Sequence, residues 1–222
     1  MSNIEQRLSH GGEGALETNK VLKNTYLLLS MTLLFSAFTA GIAMMLNIPQ
    51  GAGLVLTLVS FGLLFWVHKV ADTSQGLIAV FAFTGCLGAA LGPMLNNYLG
   101  LANGPMLVMQ ALGGTALIFF TLSGYVLTTR KDFSFMGGFL ITGMVLVIVA
   151  MLLNLFFQVP MVSLALSSAI ILLMSGFILF DTSRIIHGGE TNYIRATVGL
   201  YLSIYNLFTS LLHLLGVFGG DE

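Results

Sequence analysis

The chain has 222 residues, of which 56% are hydrophobic and only 8% charged, and its mean hydropathy is +0.95. A soluble domain carries about 25% charged residues, so eight basic and nine acidic side chains cannot cover a water-facing globule of this size, and the apolar surface must face lipid. A net charge of -1 gives no case for a nucleic-acid partner, and the single cysteine, Cys86 in an apolar run, excludes an intrachain disulfide and a Cys-rich metal site.

Residues 1–23 form a polar tail with Glu5, Arg7, Glu13, Glu17, Lys20 and Lys23. A secretory signal reaches its apolar core sooner and without this many acids, so the tail is expected to be retained, cytosolic and flexible. Seven apolar segments follow, over 24–46, 52–67, 76–95, 105–128, 133–157, 160–186 and 194–216. Each approaches or exceeds the roughly 20 helical residues that a bilayer crossing takes. The expected fold class is therefore all-α, a polytopic membrane protein with a transmembrane domain over 24–216 and a short external tail over 217–222. Pro105 and Pro160 suit first helical turns, where the missing N–H is not needed. Asp132 suits the N-cap of the fifth helix, and Gly188 a stop after the sixth.

The connections set the orientation. Arg7, Lys20 and Lys23 precede the first segment, and Lys69 follows the second. Arg130 and Lys131 lie between the fourth and fifth, and Arg184 and Arg195 flank the loop between the sixth and seventh. The alternate connections, 47–51, 96–104 and 158–159, and the end of the chain have no Lys or Arg. The positive-inside rule then puts the amino terminus in the cytosol and the carboxy terminus outside. Gly85, Gly88 and Gly92, Gly113 and Gly114, and Gly137 and Gly138 are read as places where helices approach closely in lipid. None of them sits in a nucleotide-binding loop, since no strand-to-helix turn with a following Lys and Ser or Thr occurs.

Two features of the last two segments stand out from packing. Gly199, Ser203, Asn206, Ser210 and His213 are spaced by four, three, four and three residues, which aligns them on one helical face. A polar stripe in a span should point into the bundle, because lipid cannot satisfy it. Two readings stay open: a water or ion path, or hydrogen bonding between packed helices. The second feature is Asp181. A helix over 160–187 is about 42 Å long at 1.5 Å per residue and exceeds a hydrocarbon core of about 30 Å, which puts Asp181 about 9 Å inside its end. An unpaired carboxylate there is costly, and Arg184 and His68 are its candidate cations; a snorkelling acid paired with Arg184 is the plainer reading. His187 and Glu190 supply only two ligands in a Gly-Gly loop, so no metal site is expected.

The run Phe-Ile-Leu-Phe-Asp-Thr-Ser-Arg-Ile-Ile-His at 177–187, with Leu-Tyr-Leu-Ser-Ile-Tyr-Asn-Leu-Phe-Thr-Ser-Leu-Leu at 200–212, resembles the carboxy-terminal signature of the Bax inhibitor-1 family. The segments at 187–198, 127–135 and 20–26 are similar to its bacterial YccA branch, modulators of the membrane protease FtsH. The resemblance runs from Lys20 to near the end of the chain. It implies seven helices with the last enclosed by the other six, no enzymatic activity and no cofactor. As partners it implies an FtsH-type protease with its accessory membrane proteins. It also implies an alternative function, a proton-sensitive calcium or cation leak gated by two acids at the cytosolic ends of the last two helices, with a basic latch on the second. Carried over by position, the gate is Asp181 and Ser203 and the latch His68. A serine at the second acid position removes the like charge that couples such a pair and an oxygen ligand that a divalent cation favours. A pH-sensitive contact between Asp181 and His68 stays open. No catalytic spacing appears: there is no His-Glu-x-x-His, and no nucleophile and base pair at recognisable separation.

Overall fold

The computed structural model describes the backbone of residues 2–219 and the side chains from Glu17 onward. The chain folds as α1 (Ser2–Met45), α2 (Gln50–Val70), α3 (Gln75–Leu99), α4 (Gly104–Thr129), a 3₁₀ turn (Ser134–Met136), α5 (Gly137–Phe157), α6 (Pro160–Ile186) and α7 (Tyr193–Gly219). All seven helices are long and apolar enough to cross a membrane, α1 through its part Glu17–Met45. The protein is a seven-helix membrane protein.

Local chemistry explains most boundaries. No Gly or Pro occurs between Ala15 and Ala40, and the helical backbone runs through that stretch into the first span without a break. Extended backbone at Pro49 (φ -68°, ψ 155°) starts α2. Pro160 occupies the first turn of α6, and Pro105 that of α4, as the sequence predicts. Gly188, at φ +73°, ends α6 in the left-handed region that glycine adopts most easily. Asp132 departs from expectation: it accepts the Ser134 N–H at 2.8 Å and so closes the turn ahead of the 3₁₀ segment, while α5 itself starts from Met136 without a side-chain cap. Of the external tail expected over 217–222, residues 217–219 belong to α7 and residues 220–222 lie outside the described part.

Helix α7 packs directly on α1, α3, α4 and α6, while α2 lies outside on α3 and α5 outside on α6. Twelve residues of α7 are buried and eleven of α3, against three each in α2 and α5, so α7 and α3 form the interior, and α7 is walled by four helices rather than by the six that the resemblance implies. The tightest seam is α1 on α3. Gly85 lies under Phe35, Gly88 under the Ser36 backbone and Gly92 under Ala43, so that a Cβ at Gly88 would overlap main-chain atoms. Close approach of this kind replaces the hydrophobic drive that helices lack inside lipid. Gly137 serves α5 in the same way beneath Phe180, whereas Gly113 and Gly138 face open space, and Gly114 meets only Leu211 at 3.4 Å; these three are not close-contact positions.

Hydroxyl groups satisfy one another across the bundle. Ser36 and Tyr201 hydrogen-bond at 2.7 Å, and Tyr201 donates to the Thr84 carbonyl at 3.2 Å. Tyr26 bonds Ser123, which is 3.3 Å from Thr182. Each pair joins helices at membrane depth, where water is not available to take the place of a lost partner.

Candidate functional site at the charged end of the bundle

The helices alternate in direction, and three loops converge on one end. Asn192, just before α7, ties two of them together. Its Oδ1 accepts the N–H groups of Ile194 (2.8 Å) and Arg195 (3.1 Å), capping α7, while its Nδ2 donates to the Ala71 carbonyl (2.9 Å) and to Asp72 (2.7 Å). Arg195 pairs with Asp72 as well. The third loop is held by His187, whose ring nitrogens meet the Ser183 carbonyl at 2.9 Å and the Arg130 carbonyl at 3.1 Å, and by Ser183, which accepts the Phe133 N–H at 2.9 Å. Asp132 shares this corner. Its hydrogen bonds to Ser134, reinforced by His187, hold its carboxyl below the usual range. The charged residues whose side chains are described, from Glu17 to Arg195, all belong to this end.

Asp181 sits just inside. It lines a recess of about 280 Å³ together with Leu64 and His68 of α2, Arg184 of α6, Glu190 of the loop and Arg195 and Gly199 of α7. The approach to α7 is what admits it: a Cβ on Gly199 would lie 2.8 Å from Asp181 Oδ2. Gly199 therefore cradles the acid. Among the described residues Asp181 makes no hydrogen bond or ion pair. Arg184, expected as its partner, turns to Glu190 (3.6 Å) and the Gly189 carbonyl (3.1 Å), with its guanidinium over the Phe180 ring. His68 is exposed at the rim, with Nδ1 2.9 Å from the Leu64 carbonyl. Ser203 lies one turn deeper on α7, 3% exposed, and is not part of the recess lining.

The remaining stripe residues divide rather than connect. At the far end of α7, His213 Nδ1 and the Ser167 hydroxyl are 2.9 Å apart. With Gly199 facing Asp181 and His213 facing Ser167, the antiparallel register puts Phe177, Met174 and Ile170 of α6 across from Ser203, Asn206 and Ser210. The Asn206 amide donates back to its own helix at Leu202. The two ends of the stripe are thus polar contacts to α6 separated by apolar packing on that side. Sequence reasoning missed Asn192, Asp72 and Ser183; an Asn immediately before an apolar run was the available signal for the first.

The chain as a whole is similar to known proteins. The family model described as "Inhibitor of apoptosis-promoting Bax1" matches residues 18–220. The chain belongs to the Bax inhibitor-1 family. Within it, the chain is 56% identical over 214 residues to an Escherichia coli K12 protein named "Modulator of FtsH protease YccA", covering 96% of this chain and 97% of that one. An uncharacterized membrane protein of Vibrio cholerae is 53% identical over 211 residues, with 95% of each chain covered. A Campylobacter jejuni relative is 36% identical over 208 residues, 91% of this chain and 90% of that one. The Bax inhibitor-1 match thus takes in all seven helices, the charged end included.

Proposed function

We propose that the protein is a bacterial inner-membrane modulator that associates with an FtsH-type protease and restrains it. The observation that carries this reading is the end-to-end 56% identity to the Escherichia coli modulator of FtsH protease, whose counterpart in a second strain is named an inner membrane protein. Such a role requires a body that stays folded in the bilayer and a surface the protease can engage. The interlocked α1–α3 seam supports the first. The charged end, with the helical amino-terminal stretch that rises from it, supports the second. The positive-inside distribution supports a cytosolic amino terminus and a periplasmic carboxy terminus. The test is affinity purification of the full chain from membranes that contain FtsH, together with the turnover of a membrane substrate. Overproduction should co-purify the protease and slow substrate loss, and deletion of residues 2–17 should stop the protein's own turnover while leaving it inserted. Absence of the protease from the purified material overturns the reading.

A second reading belongs to the Asp181 recess: a proton-responsive contact between Asp181 and His68, with Arg184 and Ser203 beside it. The unpaired acid in a recess with a histidine at its rim favours it, and the apolar α6 residues facing the middle of the stripe weigh against conduction along that seam. Calcium flux into proteoliposomes at pH 6 and pH 8 tests it, with Asp181→Asn and His68→Ala as variants. Flux or protease binding that ignores both pH and His68→Ala refutes the contact.

A further inference from the structure

Helices α1 and α4 both pack on α7, yet they meet each other only near the charged end, where Tyr26 bonds Ser123 and stacks obliquely on Phe119. Beyond that bridge they diverge and leave a lateral groove of about 460 Å³, walled by residues such as Leu33, Ala37, Leu112 and Ala116 and floored by Tyr201 and Ile204 of α7. Its lining on α1 runs from Tyr26 to Met44, about 27 Å of helix, close to the roughly 30 Å thickness of a hydrocarbon core.

Size selects the occupant. A helix is about 10–12 Å across with its side chains, so a 27 Å length of one fills roughly 2,000 Å³. The groove's 460 Å³ is only about a quarter of that, too little to bury a helix but room for a slender, flexible apolar chain. The walls are apolar, and the hydroxyls of Ser30, Ser36, Thr115 and Tyr201 are all bonded within the protein. Tyr205 is the one hydroxyl of the lining without a partner among the described residues. Charge marks the mouth. The α1 residues lining the groove include Tyr26, Ser30, Leu33 and Ala37, and Lys23, three residues before Tyr26, continues that face as an exposed cation at headgroup level.

We propose that this groove is a binding slot for one acyl chain of an anionic phospholipid of the bilayer, with Lys23 over its phosphate. The chain fills the gap between α1 and α4 and seals the hydroxyls on α7 from the membrane.

The test uses the full-length protein reconstituted with a phospholipid that carries a photoreactive group midway along one acyl chain. Irradiation followed by peptide mapping should place the label on the facing α1 and α4 residues above the level on α5, whose exposed surface is ordinary lipid contact. Native mass spectrometry after detergent exchange should find one retained phospholipid, absent in Ala37→Phe with Ala116→Phe. The Lys23→Gln variant should lower the preference for an anionic over a zwitterionic headgroup about fivefold. Equal labelling of α5 and the groove overturns the proposal in the wild-type protein alone, whatever the filled variant does. A retained lipid unaffected by the filling substitutions also overturns it, as does photocapture of another protein's helix in the slot.

Discussion

The two ends of the bundle solve one problem with different chemistry. At both, helix termini leave orphan N–H and C=O groups that need partners. The charged end uses ions and a capping asparagine: Asn192 bridges two loops, Arg195 meets Asp72, and His187 reaches across to the Arg130 carbonyl. Among the described residues the opposite end uses neutral amides almost alone. Asn96 donates to the Met44 carbonyl at 3.1 Å and to Asn47, Asn103 donates to the Gly219 carbonyl, and Asn154 bonds Ser163 and the Val159 N–H. Asn47 and Gln158 turn the chain there with φ of 48° and 50°. Among the described residues, then, charge distinguishes one end from the other, and hydrogen bonding holds both.

The comparison breaks most directly at Asn192. Replacing it with Ala removes a cap and two cross-loop bonds, with an expected loss of about 2–4 kcal/mol, read as a lower midpoint in detergent-induced unfolding. Gly199→Val is next, at about 1–3 kcal/mol, because its side chain must displace the Asp181 carboxylate; Gly113→Ala, with open space around it, should stay within about 0.5 kcal/mol. Asn96→Ala at the opposite end should lose about 1 kcal/mol, and an effect as large as that of Asn192→Ala would show the two ends to be equally tied. Arg195→Gln should lose less than about 1 kcal/mol and the difference should vanish in high salt, since its partner Asp72 is 67% exposed. The smallest effect is a pH dependence. Asp132 is held below the ordinary carboxylate range by Ser134, so its ionised form stabilises the fold above about pH 3.9 and that contribution is lost as the pH falls through the lower folded value. Wild type and Asp132→Ala should differ at pH 6, and the difference should shrink as the pH falls below the ordinary carboxylate range.

Much of this was legible from residue patterns alone. Seven apolar runs, the one-sided basic residues, Pro160 at a helix start and Gly188 at a helix stop all rest on local chemistry, and each appears in the fold where the pattern put it. What stayed hidden depends on partners distant in sequence. The Ser36–Tyr201 and Tyr26–Ser123 bonds join hydroxyls 165 and 97 residues apart, and a serine in an apolar run does not name its partner. Spacing put Gly199 on the stripe with Ser203 but could not reveal that its use is the room it leaves for Asp181. Gly113 and Gly138 show the converse: small residues mark where helices can approach, and the crossing geometry decides which of those places are used.

Mechanical direction follows from the way α1 is built. Its membrane-spanning part from Glu17 to Met45 leads directly into the seam where Phe35, Ser36 and Ala43 interlock with the glycines of α3, so a pull along α1 bears on that seam. That seam is loaded in shear, with all its contacts strained together. A pull on α5, held by three buried residues against a single helix, would instead peel it away one contact at a time. A pull along the first helix therefore meets the most closely packed seam of the described bundle, whereas one along α5 meets the least.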